Sequence, residues 1–126
     1  MSTLLIIENN YDLREILKIA LECESYHVLT ACDGQVGMEI LRSTPNITLI
    51  VLDLGMPVCD GFEFLELRAR EGFGSVPVCV ISATIPIKKP KNVIKFIHKP
   101  VLITQLTDLA EMFALPVAPV TPAAAA

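Results

Sequence analysis

The chain has 126 residues, 52% of them hydrophobic, and a formal net charge of −4. That length supports one domain with a real core but not two, and the acidic balance argues against bulk electrostatic binding of nucleic acid. No stretch approaches 18 uninterrupted apolar residues, which excludes a membrane-spanning segment, and Met1-Ser2-Thr3 lacks the basic region of a secretory signal.

Leu4-Leu5-Ile6-Ile7 reads as a first strand. Behind Asn10, a residue suited to capping a helix, Leu13, Ile16, Leu17, Ala20 and Leu21 recur at helical spacing and predict an amphipathic helix. Val28-Leu29, flanked by His27 and Thr30, gives a second strand. Asp33-Gly34 then turns the chain, and Val36, Ile40 and Leu41 start a second helix. Ile47 to Leu52 reads as a strand buried on both faces, ending at Asp53. Gly61 to Arg70 carries apolar residues at 62, 65 and 69, which predict a third helix that Gly72 and Gly74 end. Val76 to Ile81 reads as strand four, with Pro77 near its start, and Val93 to Ile97 as strand five. Leu102, Leu106, Leu109, Ala110 and Phe113 mark a final helix.

Strands alternating with helices pair in parallel through right-handed crossovers, the pattern of a doubly wound α/β domain. One connection breaks the rhythm. Only 17 positions separate Ser82 from Lys99, and Pro86 and Pro90 both fall among them. Each proline ring removes a donor and crowds the preceding turn, so the fourth helix expected of this alternation is shortened or absent. The Pro/Ala-rich residues 116–126 are expected as a linker or disordered tail outside a domain spanning 1–115.

Cys23, Cys32, Cys59 and Cys79 are spaced 9, 27 and 20 apart, with no CxxC pair and two histidines in the chain. That spacing excludes a zinc-ligand pattern and predicts free thiols in a reducing cytoplasm.

The strand ends carry the chemistry. Strand one ends in Glu8-Asn9, strand three in Asp53, strand four in Ser82 and strand five in Lys99 before Pro100. In an open parallel sheet these carboxyl ends share one edge, where ligands bind at the reversal of strand order. Carboxylate oxygens there suit Mg²⁺, while a hydroxyl and an ammonium suit phosphoryl oxygens. A carboxylate can also accept the phosphoryl group itself.

Asp53-Leu54-Gly55-Met56-Pro57-Val58-Cys59-Asp60-Gly61, the acid after strand one, Ser82-Ala83 and Lys99-Pro100 together resemble a two-component response regulator receiver domain (CheY-like) over residues 3–114. The resemblance implies a flavodoxin-like five-stranded sheet in the order 2-1-3-4-5. It also implies a signalling domain whose only catalysis is its own phosphoryl transfer and dephosphorylation. Asp53 would accept phosphate from a sensor histidine kinase, a phosphotransfer protein or a small acyl phosphate. Glu8, Asn9, Asp53 and the Gly55 carbonyl would hold Mg²⁺, and Ser82 and Lys99 would meet the phosphoryl group. Phe96 stands at the family's aromatic switch position, and Met56, Pro57, Asp60 and Gly61 shape the loop after the acceptor. His98, beside Lys99, is expected as a structural strand residue. Downstream output would pass to a protein partner, with no direct contact to nucleic acid or membrane.

Two departures qualify that resemblance. The family pairs two acids after strand one, where this chain has Glu8-Asn9, which predicts weak Mg²⁺ binding and slow phosphorylation. Asn9 therefore favours an alternative, a pseudo-receiver acting as a phosphorylation-independent interaction module. The shortened fourth connection is the second departure, with Lys88, Lys89, Lys91 and Lys95 clustered about it as a solvated loop or a patch for an acidic partner. An aspartate-nucleophile phosphatase would need an acid at position 55, which here is glycine.

Overall fold

Strand and helix alternate as far as the fourth strand in the computed structural model, which describes residues 2–55, 60–84, 90 and 93–113. The elements are β1 (Thr3–Ile7), α1 (Tyr11–Cys23), β2 (His27–Ala31), α2 (Gly34–Ser43), β3 (Ile47–Asp53), α3 (Gly61–Arg70), β4 (Val78–Ser82), β5 (Val93–His98) and α4 (Ile103–Phe113). All strands pair in parallel in the order β2-β1-β3-β4-β5. The doubly wound sheet expected from the sequence is the sheet that forms. The expected loss of a helix before β5 falls on 85–92, of which only residue 90 is among those described, and the expected tail at 116–126 lies outside them.

The apolar runs are long because the central strands have no wet face. Every residue of β1 is buried, and successive side chains serve opposite layers. Leu4 and Ile6 join Leu49, Val51 and Ile81 against Leu17 and Leu21 of α1 and Leu106 and Ala110 of α4. Leu5 and Ile7 join Ile50, Leu52 and Val80 against Met38 and Leu41 of α2 and Phe64 and Leu65 of α3.

Helix starts are fixed by side-chain caps. Asn10, Asp33 and Asp60 each accept a hydrogen bond of 2.9 Å from the backbone N–H three residues on, at Leu13, Val36 and Glu63. The caps of α1 and α3 sit just past the ends of β1 and β3, so these helices rise from the edge that carries Glu8 and Asp53.

Two helix faces differ from the sequence reading. In α1, Leu17 and Leu21 are buried, whereas Ile16 is 56% exposed and outside the core. In α3 the buried face is Gly61, Phe64, Leu65 and Arg68, while Phe62 is 43% exposed and Ala69 also faces outward. The phase of α3 is set at its first residue, because Gly61 lies against the backbone of Leu54. That contact turns position 64, not 62, toward the sheet.

Strand ends also shift by a residue or two. β4 begins at Val78 because Pro77 has no N–H for the ladder, although its carbonyl accepts from Ile50 N–H at 2.9 Å. α4 begins at Ile103, and Leu102 stands exposed before it with its N–H held by Gln105 Oε1 at 3.0 Å. β3 runs through Asp53, so that side chain is delivered by the sheet itself.

Candidate functional site

Strand order reverses between β1 and β3, which lie side by side with Ile7 opposite Leu52. The next residues along each strand, Glu8 and Asp53, therefore emerge together at the switch point. Glu8 is pinned through its backbone on both sides. Its N–H donates to the Ala31 carbonyl at 3.0 Å, and its carbonyl accepts from Arg14 Nη1 at 2.8 Å. The Arg14 guanidinium in turn lies 5.4 Å from the centre of the Tyr11 ring.

The Glu8 side chain is fully buried and Asp53 is 4% exposed. One ammonium serves both. Lys99 Nζ lies 2.9 Å from Glu8 Oε1 and 3.5 Å from Asp53 Oδ2. It reaches them because the Lys99 backbone N–H donates to the Ser82 carbonyl at 2.8 Å, which ties the end of β5 to the end of β4. The other Asp53 oxygen, Oδ1, accepts from Gly55 N–H at 3.1 Å.

Two buried carboxylates sharing one cation leave an excess of negative charge, and Glu8 shows its effect. Burial, reinforced by the neighbouring Asp53 carboxylate, pushes Glu8 up to about 7 against the opposing pull of Lys99. Burial disfavours the Lys99 ammonium, but Glu8 and Asp53 together outweigh it and hold its pKa above the usual lysine value. Glu8 Oε2 is buried with no hydrogen-bond partner among the described residues.

These donors fit a hard cation. Glu8 Oε2 has an acceptor site to spare, and Asp53, the Asn9 amide and the Gly55 carbonyl are oxygen donors of the kind Mg²⁺ takes. No group of three or more His, Cys, Asp or Glu side chains able to hold a metal occurs among the described residues, so neutral oxygens and water would complete the shell.

The remaining sequence-selected residues fall in several places. Asn9, Gly55, Ser82 and Lys99 line an open cleft of about 760 Å³ together with Asp53. The Ser82 hydroxyl is turned along its own loop, donating to the Thr84 carbonyl at 2.6 Å and accepting from Thr84 N–H at 3.2 Å. Phe96 is half-buried on β5, beside Val80 and packed against the layer of α2 and α3. Asp60 and Gly61 open α3, whereas Met56, Pro57 and Cys59 lie outside the described residues, as do Lys88, Lys89 and Lys91. Lys95 is exposed on β5, and the exposed His98 ends that strand with Nδ1 on the Lys99 carbonyl.

Thr84, Phe62 and Asn10 also line the cleft, and the sequence reading did not place them there. Nor did it single out Arg14. Its signal was a cation one turn into the helix that follows the acid, able to fold back on the strand end.

Residues 4–111 match the family model of the response regulator receiver domain. The chain belongs to that family. Among curated relatives of this receiver domain, the response regulator GtcR of Aneurinibacillus migulanus is 35% identical over 81 residues, covering 64% of this chain and 32% of that protein. The KDP operon transcriptional regulatory protein KdpE of Escherichia coli K12 is 39% identical over 83 residues, covering 66% of this chain and 36% of that protein. The chain thus spans about a third of the length of these relatives.

Solved structures show the same receiver fold. A response regulator receiver protein from Pseudomonas putida superposes with a TM-score of 0.82 at 20% identity, covering 88% of this chain and 96% of that one. The response regulator TrrA of Thermotoga maritima, solved in complex with Mg²⁺ and BeF, gives a TM-score of 0.76 at 21% identity over 89% of this chain and 98% of that one. No helix among the described residues is long and apolar enough to cross a membrane.

Proposed function

We propose that this receiver domain is a phosphorylation switch in which Asp53 accepts a phosphoryl group from the phosphohistidine of a sensor kinase or phosphotransfer protein. The observation that carries this reading is the placement of Lys99 Nζ within 3.5 Å of Asp53 and 2.9 Å of Glu8 at the switch point of the sheet. An Asp53 carboxylate oxygen forms a bond to phosphorus as the donor's P–N bond breaks, and the donor imidazole leaves with that electron pair. Lys99 meets the charge gathering on the phosphoryl oxygens. Ser82 becomes a partner for the same oxygens when its hydroxyl leaves the Thr84 carbonyl, and Phe96, on the strand beside Ser82, reads that change.

Glu8, Asp53, the Gly55 carbonyl and the Asn9 amide are the residues that would hold Mg²⁺. Bound there, the ion supplies neutralising charge for the phosphoryl oxygens. Asn9 makes that hold weak. The domain proposed to do this is residues 1–115.

Intact-mass measurement after incubation with acetyl phosphate and Mg²⁺ tests the proposal. One added phosphoryl group on the wild type, absent from Asp53→Asn, is the expected result. A second reading, a pseudo-receiver that binds partners without phosphate, is favoured by the exposed amide of Asn9 where an acid would load the cation. No added mass with any donor would support that second reading over the first.

A further inference from the structure

Phe62 is the second residue of α3, and its backbone is fixed from both sides. Asp60 caps the helix at the Glu63 N–H, 2.9 Å away, and the Gly61 N–H donates to the Leu54 carbonyl at 3.2 Å, which seats the first turn on the end of β3. The core takes Phe64 from this helix, wholly buried, and leaves Phe62 43% exposed on the wall of the Asp53 cleft. Among the described residues that line the cleft, Phe62 alone is aromatic. Leu54, the other large apolar side chain there, is buried in the layer of α2 and α3. The rest of the lining is polar, charged or too small to hold a flat ring.

A phosphohistidine that transfers to Asp53 must bring its own ring into this cleft, because the leaving nitrogen lies across phosphorus from the attacking carboxylate oxygen, roughly in line with it. We propose that Phe62 is a specificity residue for the donor, holding by aromatic contact the imidazole that carries the phosphoryl group; this deepens the acceptor role of Asp53 proposed above and rests on it. Contact between two aromatic rings, offset or edge to face, adds to the gain from apolar burial. An Asp53 oxygen forms its bond to phosphorus as the P–N bond breaks. The electron pair stays on that nitrogen, and a ring protonated on its other nitrogen departs as neutral imidazole. A ring held by Phe62 is kept in line through this step. The advantage is confined to donors that have a ring, and acetyl phosphate, whose leaving group is acetate, draws nothing comparable from Phe62.

Phosphorylation rates with N-phosphoimidazole and with acetyl phosphate, each followed by intact mass with Mg²⁺ present, test this in the wild type, Phe62→Leu and Phe62→Tyr. The ratio of the two rates, ring donor over acetyl phosphate, is expected to fall roughly three- to tenfold in Phe62→Leu. It is expected to stay near the wild-type ratio in Phe62→Tyr, which keeps the ring. Damage to the fold or to cation binding lowers both rates together and leaves their ratio where it was. An unchanged ratio in Phe62→Leu would therefore overturn ring recognition while Asp53 stands as the acceptor, and so would an equal fall in Phe62→Leu and Phe62→Tyr. A wild type that takes phosphate from acetyl phosphate but not from N-phosphoimidazole would overturn it as well. A wild type phosphorylated by neither donor would overturn the acceptor role of Asp53 and the role of Phe62 together.

Discussion

A Cβ built on Gly61 would lie 2.6 Å from Leu54 Cα and 2.9 Å from the Asp53 carbonyl oxygen. The first residue of α3 thus rests directly on the strand end that presents Asp53. Leu54 Cα and the Asp53 carbonyl oxygen are backbone atoms and a Cβ has no rotamer of its own, so neither contact can yield by a rotamer change. Gly61→Ala is expected to destabilise the domain by about 1–3 kcal/mol and to displace the end of β3. At Gly55 the nearest atom among the described residues is Asp53 Oδ1 at 3.9 Å, an ordinary contact, so Gly55→Ala should fold with a similar midpoint. Urea denaturation of the two variants compares them, and equal midpoints would refute the close-packing account of Gly61.

The phase of α3 can be read by truncating its two phenylalanines. Phe64 is fully buried in the layer of α2 and α3, and Phe64→Ala should cost about 3–5 kcal/mol. Phe62, at 43% exposure, should cost much less, within about 1 kcal/mol. Thermal or chemical unfolding measures both, and a reversed order would mean that the helix docks on the face suggested by residues 62, 65 and 69.

Asn9 stands in the cleft as an exposed amide beside two buried carboxylates. Restoring an acid there adds one formal charge at a partly wet site, worth on the order of 1–2 kcal/mol. Asn9→Asp should bind Mg²⁺ roughly tenfold more tightly and accept phosphate faster from acetyl phosphate. Matched Mg²⁺ isotherms for the two proteins would sink the idea that Asn9 limits loading.

In the metal-free protein the raised Glu8 pKa has a direct consequence for stability. The folded state holds the Glu8 proton up to about 7, whereas an unfolded glutamate releases it near 4.5. Between those values the folded state binds more protons, so unfolding free energy falls as pH rises. The contribution is fully present below about 4.5 and is lost as pH passes through about 7. Denaturation midpoints with a chelator present should decline across this window, and Glu8→Gln should flatten the decline.

The cysteines among the described residues divide by burial. Cys79 is enclosed in β4, where burial pushes its thiol up to about 12, while Cys23 and Cys32 are exposed. Iodoacetamide at mildly alkaline pH is expected to label Cys23 and Cys32 in the folded protein and Cys79 only after denaturation. Labelling of Cys79 at the rate of the other two would show that β4 opens locally.

How much of the fold and the site was legible in the chain varies with the range of the interaction that decides it. The strands were readable because two-sided burial leaves continuous apolar runs, and the cap at Asn10 because an Asx residue before a helix acts within three residues. The acids, the serine and the lysine at the strand ends were readable because a parallel sheet must bring those ends to one edge. Family resemblance then supplied their roles.

What the chain alone could not reveal depends on which surfaces meet. Ile16 and Leu17 are equally apolar, yet only Leu17 is buried, since the helix axis is set by packing against β1 and α4. The phase of α3 is decided by the fit of Gly61 on Leu54, a contact that no periodicity records. Above all, Glu8 and Lys99 stand 91 residues apart, and nothing local pairs them. The sequence by itself determined a doubly wound sheet with acids and a lysine on its carboxyl edge. Only the tertiary structure decided that the lysine would settle on Glu8, because strand order and burial, rather than sequence distance, fix which charge each carboxylate can reach.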